Sequence, residues 1–136
     1  MDKNNIKLAI VGSRTFNDYA TLLYVINSIK RDNDYTYAEI VSGGAKGADS
    51  LAERYAEQNK ISLKVFPADW NRYGKRAGFI RNVDIIDNCD VCICFWDGSS
   101  HGTKHDIDLC KEKGKVCWIY NFITQKIYVE LNGNGD

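Results

Sequence analysis

Three glycine-bearing segments punctuate the chain, and each one follows a short apolar run and precedes a helix-forming stretch. The segments are Gly12-Ser13-Arg14, Ser42-Gly43-Gly44-Ala45-Lys46-Gly47 and Gly98-Ser99-Ser100-His101-Gly102-Thr103. Strands, loops and helices that alternate in this way form a parallel sheet with helices on its faces. We therefore predict an α/β fold, a Rossmann-like three-layer sandwich whose mostly parallel sheet has about five strands.

Apolar runs and helical periodicity set the expected elements. We predict strands at residues 7–11, 39–42, 61–66, 90–95 and 115–120, and helices at 18–31, 48–58, 79–88 and 104–113. Asp18, or Asn17 beside it, is expected to cap the first helix. One more alternating segment covers residues 126–131. Residues 67–78 are predicted to be the longest irregular segment, which at this length in a compact domain is functional or disordered.

The length and the charge balance narrow the class of protein. A chain of 136 residues fits one domain, which we assign to residues 1–136, with its core at 7–120 and a C-terminal extension at 121–136 that frays at its end. No membrane-length apolar run or signal peptide is evident, so we expect a cytoplasmic protein without membrane contact. Because 18 basic residues balance 18 acidic ones, binding to nucleic acid is not expected.

The three glycine segments predict an anion site. In a parallel sheet they lie together at the carboxyl edge, where ligands bind. Glycine lets the backbone approach a ligand, and a helix N-terminus favours negative charge. Neither the dinucleotide pattern G-x-G-x-x-G nor the ATPase pattern G-x-x-x-x-G-K-[ST] occurs, so redox and ATPase chemistry lose support. We predict a phosphate-bearing small-molecule ligand and no resident cofactor.

The cysteines and histidines imitate a metal site. Cys89-x-x-Cys92 followed by His101-x-x-x-His105 has a zinc-like spacing. An apolar strand and a glycine loop separate the two pairs, so their side chains need not converge. Strand alternation directs Cys92 and Cys94 to one face as packing residues. We predict no metal.

Five motifs in order resemble the branch of the SLOG superfamily that is related to YspA and YpsA. They are Gly12-Ser-Arg14, Ser42-Gly-Gly-Ala-Lys-Gly-Ala-Asp49, Phe66-Pro-Ala-Asp-Trp70, Ala77-Gly-Phe-Ile-Arg-Asn82 and Gly98-Ser-Ser-His-Gly-Thr103. The resemblance implies a Rossmann-like fold and a nucleotide-derived ligand, such as a nucleoside monophosphate or an ADP-ribose-like molecule. It also implies a homo-oligomer, with a dimer favoured.

The same resemblance suggests catalytic residues. In the related LOG phosphoribohydrolases, which release a base from a nucleoside monophosphate, an arginine and a glutamate are the proposed catalytic pair. Arg81 and Asp106 stand at the corresponding positions, although aspartate is one methylene shorter and Asn82 replaces a lysine. The expected ligand-binding residues are Gly12, Ser13, Arg14, Ser42, Gly43, Gly44, Lys46, Gly47, Asp49, Trp70, Asn82, Gly98, Ser99, Ser100, Gly102 and Thr103.

Several of these residues have two interpretations. Asp49 is either a helix cap or a ribose contact. Trp70 and Trp96 are both candidates to stack a base, and for Trp96 the alternative is packing in the core. His105 is a solvated helical residue or a proton carrier. Arg72, Lys75 and Arg76 form, with Lys46, a basic rim or an ordinary solvated surface.

Three functions remain open on the sequence alone. The first is a binding protein that hydrolyses the N-glycosidic bond of its ligand. The second is a sensor or sponge that holds a nucleotide signal without turnover. The third is single-stranded nucleic-acid binding in the manner of DprA, against which the neutral charge argues.

Overall fold

The computed structural model describes residues 1–130 of the chain. The strands are β1 (Ile6–Gly12), β2 (Tyr37–Ser42), β3 (Ser62–Val65), β4 (Val91–Trp96), β5 (Val116–Asn121) and β6 (Lys126–Glu130). The helices are α1 (Tyr19–Asn33), α2 (Ala48–Gln58), α3 (Trp70–Tyr73), α4 (Ala77–Asp87) and α5 (His101–Lys113), with a 3₁₀ turn at Gly74–Arg76. The predicted frayed end lies outside the described residues.

The six strands form one sheet in the order β3-β2-β1-β4-β5-β6. Strands β1 to β5 are parallel to one another, and β6 runs antiparallel to β5. The predicted α/β fold with a mostly parallel sheet is therefore confirmed. The sixth strand is the alternating segment that the sequence suggested after residue 121.

Alternation along the strands divides the core into two layers. On β4, Val91, Ile93 and Phe95 face the cluster that contains the buried sides of α1 and α2. Cys92 and Cys94 face the cluster that contains α4 and α5. The strand is buried on both faces, as its apolar run predicted, and each such side chain contributes about 1.5–3 kcal/mol of burial free energy. Helices on both faces confirm the three layers.

The first helix begins and ends on local signals. Asp18 is its N-cap, and the Oδ1 atom accepts a hydrogen bond from the Thr21 N–H at 3.1 Å. Asp34 ends the helix in the left-handed conformation, with φ of 56°. The sequence left Asn17 and Asp18 as alternative caps, and the structure selects Asp18.

The expectation of an irregular segment at residues 67–78 is wrong. The chain there forms α3, the 3₁₀ turn and the start of α4. Asp69 caps α3, since its Oδ1 atom accepts from the Arg72 N–H at 3.1 Å. The α3 helix has 4 residues, which is too short for the periodicity by which a sequence reveals a helix, and no residue of α3 or of the 3₁₀ turn is buried.

The strand order places a switch point between β1 and β4. The chain leaves β1 towards the α1 face and leaves β4 towards the α5 face, so the two loops diverge at the carboxyl edge. Open α/β sheets bind their ligands in the crevice at such a point. Among residues 1–130, no helix has the length and apolarity to cross a membrane.

Candidate functional site

Two adjoining cavities open at the carboxyl edge of the sheet. The first has a volume of about 360 Å³ and is lined by Val11, Gly12, Ser13, Arg14, Thr15, Ala45, Asp49, Arg81, Asn82, Ile85, Asp97, Ser100, Gly102, Thr103 and Asp106. The second has a volume of about 450 Å³ and is lined by Arg14, Gly43, Gly44, Ala45, Lys46, Pro67, Ala68, Trp70 and Arg81. Arg14, Ala45 and Arg81 line both cavities, so the two form one divided crevice.

Most residues that the sequence selected for the site line this crevice. Four of them do not: Ser42, Gly47, Gly98 and Ser99. Ser42 is fully buried below the second loop, where its hydroxyl donates to the Asp49 carbonyl at 3.3 Å. Gly98 and Ser99 are exposed outside the cavities. We therefore interpret Ser42, Gly98 and Ser99 as residues that shape the loops and do not contact the ligand.

Arg81 crosses between the two cavities from α4. Its Nη1 atom donates to the Gly43 carbonyl at 2.9 Å, and its Nε atom donates to Asn82 Oδ1 at 3.0 Å. These bonds fix the guanidinium plane and leave other N–H groups for an anion. Arg14 reaches the same place from the loop after β1 and is exposed. The boundary between the cavities therefore carries two positive charges.

Asp49 lies in the first turn of α2 and is 6% exposed. Its Oδ2 atom accepts a hydrogen bond from the Ala45 N–H at 3.1 Å. This bond ties the second glycine loop to the start of α2. Burial raises the pKa of Asp49 to about 6, while the Ala45 hydrogen bond and Arg81 act in the opposite direction. The helix cap itself is Gly47, so Asp49 is a loop brace that also faces the first cavity.

Asp106 lies on α5 and lines the first cavity although it is only 5% exposed. Its Oδ1 atom has no hydrogen-bond partner among the described residues. Burial, and then the carboxylate of Asp49, raise the pKa of Asp106 well above its usual range, and Arg81 opposes this shift. A buried polar atom without a partner is rare in folded proteins and marks a place where a ligand or water completes the bonding.

Asn82 links Arg81 to α5. Its Nδ2 atom lies 3.1 Å from His105 Nδ1, and the His105 ring meets Phe79 edge-on at a centroid distance of 4.6 Å. Burial lowers the pKa of His105, which favours the neutral ring. His105 does not line either cavity. Its contacts make it a support for Asn82 from a partly exposed position on α5.

The third glycine loop is shaped by Asp97. The Oδ1 atom of this side chain accepts hydrogen bonds from the Ser99 N–H at 2.9 Å and the Ser100 N–H at 2.7 Å, which lower the pKa of Asp97. Trp96 Nε1 donates to the Ser100 carbonyl at 3.0 Å and so fastens the same loop. The amides of Ser99 and Ser100, two of the expected ligand-binding residues, are therefore already bonded within the protein.

The start of α5 keeps other donors available. The N–H groups of His101, Gly102 and Thr103 lie in the first turn, where a helix supplies no acceptor. Gly102 and Thr103 also line the first cavity. Nearby, the hydroxyls of Ser13 and Ser100 lie 3.1 Å apart and join the first and third loops.

The glycines serve two different purposes. At Gly43 a Cβ would lie 2.8 Å from Asp49 Oδ2 and 2.9 Å from Arg81 Nη1, and at Gly47 it would lie 2.5 Å from the carbonyl oxygens of Ser13 and Arg14. Those two positions need glycine because protein atoms approach closely. At Gly102 a Cβ would meet nothing within 4 Å. Only this last case matches the expectation that glycine leaves room for a ligand.

The second cavity has an aromatic wall. Trp70 is 53% exposed and lines the cavity together with Pro67 and Ala68. Lys46 approaches from the second glycine loop. The other three residues of the expected basic rim, Arg72, Lys75 and Arg76, line neither cavity. The Arg72 guanidinium lies over the Tyr73 ring, 5.1 Å from its centroid.

The cysteine cluster does not follow the zinc-like spacing. Cys92, Cys94 and Cys117 bring their sulfur atoms within 4.8 Å of one another, whereas His105 is engaged with Asn82 and His101 is exposed. Hydrogen bonds with the neighbouring thiols and burial raise the pKa of Cys92 well above its usual range. Because metal ligation requires thiolates and this core is apolar, we interpret the cluster as packing residues.

Asp97, Thr15 and Ala45 are among the cavity residues that the sequence did not predict, as are the apolar Val11 and Ile85. Asp97 had a usable signal, since it directly follows a buried strand and precedes a glycine loop. Thr15 and Ala45 have no such sequence signal. Their small side chains line the cavity only because the folded loops place them there.

Comparison with known proteins agrees with the fold. The YspA, cpYpsA-related SLOG family matches residues 6–73, which is half of the chain. The Gene 61 protein of Mycobacterium phage D29 is 34% identical over 105 residues, an alignment that covers 73% of this chain and 83% of the phage protein. No solved structure matches the chain significantly. The family match spans the first two glycine loops but ends before Arg81 and Asp106. The chain belongs to the YspA, cpYpsA-related SLOG family.

Proposed function

We propose that this protein binds a phosphate-bearing, nucleotide-derived ligand across the divided crevice, with the phosphate at Arg14 and Arg81. The observation that carries the proposal is the position of these two arginines, which line both cavities at their boundary. A guanidinium binds phosphate through paired hydrogen bonds. The N–H groups in the first turn of α5 add donors on the side of the first cavity.

The first cavity suits the sugar of such a ligand. It is lined by three carboxylates, those of Asp49, Asp97 and Asp106. Carboxyl groups bind sugar hydroxyls well, and an ionised one such as Asp97 also repels phosphate, so the phosphate belongs at the arginines. The Oδ1 atom of Asp106, which has no partner among the described residues, is the strongest candidate to bind a hydroxyl.

The second cavity suits an aromatic base. Trp70 offers a half-exposed ring there, and a base that stacks on an aromatic side chain gains about 1–3 kcal/mol. A ligand that extends past Arg14 and Arg81 into both cavities carries a sugar in the first cavity and a nucleoside in the second. An ADP-ribose-like molecule has this order of groups, and a nucleoside monophosphate fills only part of it.

We further propose that Arg81 and Asp106 act on the N-glycosidic bond of a nucleoside monophosphate whose phosphate lies at the arginines and whose sugar lies in the first cavity, beside Asp106. In hydrolysis, water adds to the anomeric carbon, and the base leaves with a proton. The raised pKa of Asp106 supports a protonated carboxyl that donates this proton, while Arg81 holds the phosphate. The same raised pKa favours a second candidate function, which is a sensor or sponge without turnover, because a protonated Asp106 does not activate water.

Calorimetric titration tests the binding proposal. The ligands are ADP-ribose, AMP and adenosine, and the variants are Arg14→Gln and the exposed control Arg31→Gln. We expect Arg14→Gln to weaken ADP-ribose and AMP about tenfold or more, without weakening adenosine, since one charged hydrogen bond contributes about 1.5–3 kcal/mol. An equal effect of both variants, or an equal loss for adenosine, would contradict a phosphate contact.

Release of free base separates the two candidate functions. Wild-type protein is incubated with each nucleotide that binds, and the products are separated by chromatography. If Asp106 donates the proton, base accumulates with the wild type and not with Asp106→Asn, which still binds the nucleotide. Tight binding without release from the wild type would rule out hydrolysis of the nucleotides tested and favour the sensor.

A further inference from the structure

The β6 strand is an edge of the sheet with exposed apolar side chains. Within residues 1–130 it pairs with β5 alone. Alternate N–H and C=O groups of an edge strand point away from the sheet and can template another strand. Ile127 and Tyr128 are each 41% exposed. The edge of β6 therefore offers both apolar side chains and backbone hydrogen-bonding groups to another strand.

The sequence of β6 is complementary to itself. It reads Lys126-Ile127-Tyr128-Val129-Glu130. If a second copy of the strand pairs with it in antiparallel orientation about Tyr128, Lys126 lies opposite Glu130 of the other copy, and Ile127 lies opposite Val129. The two-fold axis repeats each pair. Every opposed pair then joins opposite charges, two aliphatic residues or two tyrosines, all of which stabilise antiparallel strands.

The charges at the two ends of β6 are not used within the subunit. On β5, Lys126 stands beside Asn121, and Glu130 stands beside Cys117. Neither charged residue forms an ion pair in the described part of the chain. The two charges are therefore available to a second strand.

The face of β6 that carries Ile127 borders a groove. The groove has a volume of about 520 Å³ and is lined by residues of α1, β5 and β6, among them Tyr24, Tyr120 and Ile127. Tyr24 is 68% exposed. The groove separates α1 from the edge strand, which leaves space on this face for aliphatic side chains of another strand.

The opposite edge of the sheet lacks this complementarity. The β3 strand reads Ser62-Leu63-Lys64-Val65. Antiparallel pairing of β3 with itself sets Lys64 opposite Ser62 when it is centred on Leu63, and opposite a second Lys64 when it is centred on Lys64. A lysine in this position protects an edge from pairing.

We propose that a second copy of this chain pairs with β6, antiparallel about Tyr128, so that the two sheets join into one across a two-fold axis. The interface is isologous, as in most homodimers. Its strand hydrogen bonds supply cohesion, and the Lys126–Glu130 pairs set the register. This surface lies outside the cavities lined by Arg14 and Arg81, so the proposal is independent of the ligand.

Sedimentation equilibrium of the full chain tests the proposal through a charge exchange. Lys126→Glu and Glu130→Lys each place like charges opposite one another twice in the dimer, while the double variant restores opposite charges. We expect each single variant to raise the dimer dissociation constant about tenfold or more, and the double variant to recover most of the loss. Glu57→Lys, an exposed change of the same charge on α2, is the control and leaves the dimer unchanged.

Hydrogen exchange gives a second readout. The amides of residues 126–130 should become more protected as protein concentration rises, and Glu130→Lys should remove this dependence. A wild-type chain that stays monomeric over the whole concentration range would overturn the proposal. A dimer that responds equally to Glu57→Lys and Glu130→Lys, or that the double variant does not restore, would also overturn it, because another surface would then form the contact.

Discussion

At the scale of single residues, the site keeps two buried carboxyl groups that weaken the fold at neutral pH. Asp49 is nearly buried, and its pKa is raised to about 6 by burial. The folded protein therefore holds this proton more tightly than the unfolded chain does. As the pH rises from about 4 to about 6, the free energy of unfolding decreases, because the charged form is disfavoured only in the folded state.

The variant Asp49→Asn removes the free-energy cost of ionising this buried carboxyl group in the folded state. The amide oxygen can still accept the Ala45 N–H, so we expect the free energy of unfolding near neutral pH to increase by about 1–3 kcal/mol. Below about pH 4 the difference between variant and wild type should vanish. Urea unfolding at several pH values measures this, with the exposed change Asp32→Asn as a control. A variant that is less stable than the wild type at neutral pH would contradict the assignment.

Gly102 is the residue that best separates binding from folding. Since a Cβ there meets no protein atom within 4 Å, Gly102→Val should fold and should fill part of the first cavity. We expect the affinity for AMP and ADP-ribose to fall about tenfold or more, and Gly102→Ala to have a smaller effect. Calorimetry and thermal unfolding of the same samples measure both quantities. Unchanged affinity in folded Gly102→Val would remove the α5 N-terminus from the site.

Gly44→Val is a poorer test of the same idea. Gly44 has a φ of 71°, and a Cβ there would lie 2.9 Å from Val65 Cγ1. The variant is strained without any ligand, so a loss of affinity would not distinguish a ligand contact from a distorted loop. This difference between two glycines depends on three-dimensional neighbours and is invisible in the sequence.

At the scale of elements, the segment from Pro67 to Arg76 is an exposed part of the crevice wall. Its helical turns bury no residue between Trp70 and Arg76, so little packing holds them in place. Pro67, Ala68 and Trp70 nevertheless line the second cavity. We expect this segment to close over a bound ligand.

Hydrogen exchange with and without ADP-ribose tests this closure. Protection should rise across residues 67–76 as well as in the loop at 43–47, and Trp70→Ala should reduce the gain in the first of these regions. Protection confined to the glycine loops would show that the segment is a surface excursion. AMP should protect residues 67–76 less than ADP-ribose does, if the base of the longer ligand occupies the second cavity.

The elements that the sequence predicted well are those with strong local signals. The apolar run of β4 and the periodicity of α1 identified both elements to within about two residues. The exposed α3 was missed because its 4 residues make only one helical turn. In the crevice, the glycine loops were visible as patterns. The bracing of Ala45 by Asp49 and of Ser99 by Asp97 was not, because such hydrogen bonds depend on loop conformation.

At the scale of the whole molecule, the order of the strands creates the crevice. Because β1 and β4 are adjacent and their following helices lie on opposite faces, the loops after them separate and leave a space between. Arg81 then enters from α4, and Asp106 enters from α5. The sequence predicted the class of fold from its alternating elements, but the meeting of Arg81 with Gly43 requires the tertiary arrangement.

A crystal structure with the tightest-binding of the titrated nucleotides tests where the ligand binds. We expect phosphate oxygens within hydrogen-bond distance of the Arg14 and Arg81 guanidinium groups. We also expect a sugar hydroxyl within hydrogen-bond distance of Asp106 Oδ1. A nucleotide bound elsewhere on the molecule, or one whose phosphate avoids both arginines while its base occupies the carboxylate-lined cavity, would contradict the proposed binding site.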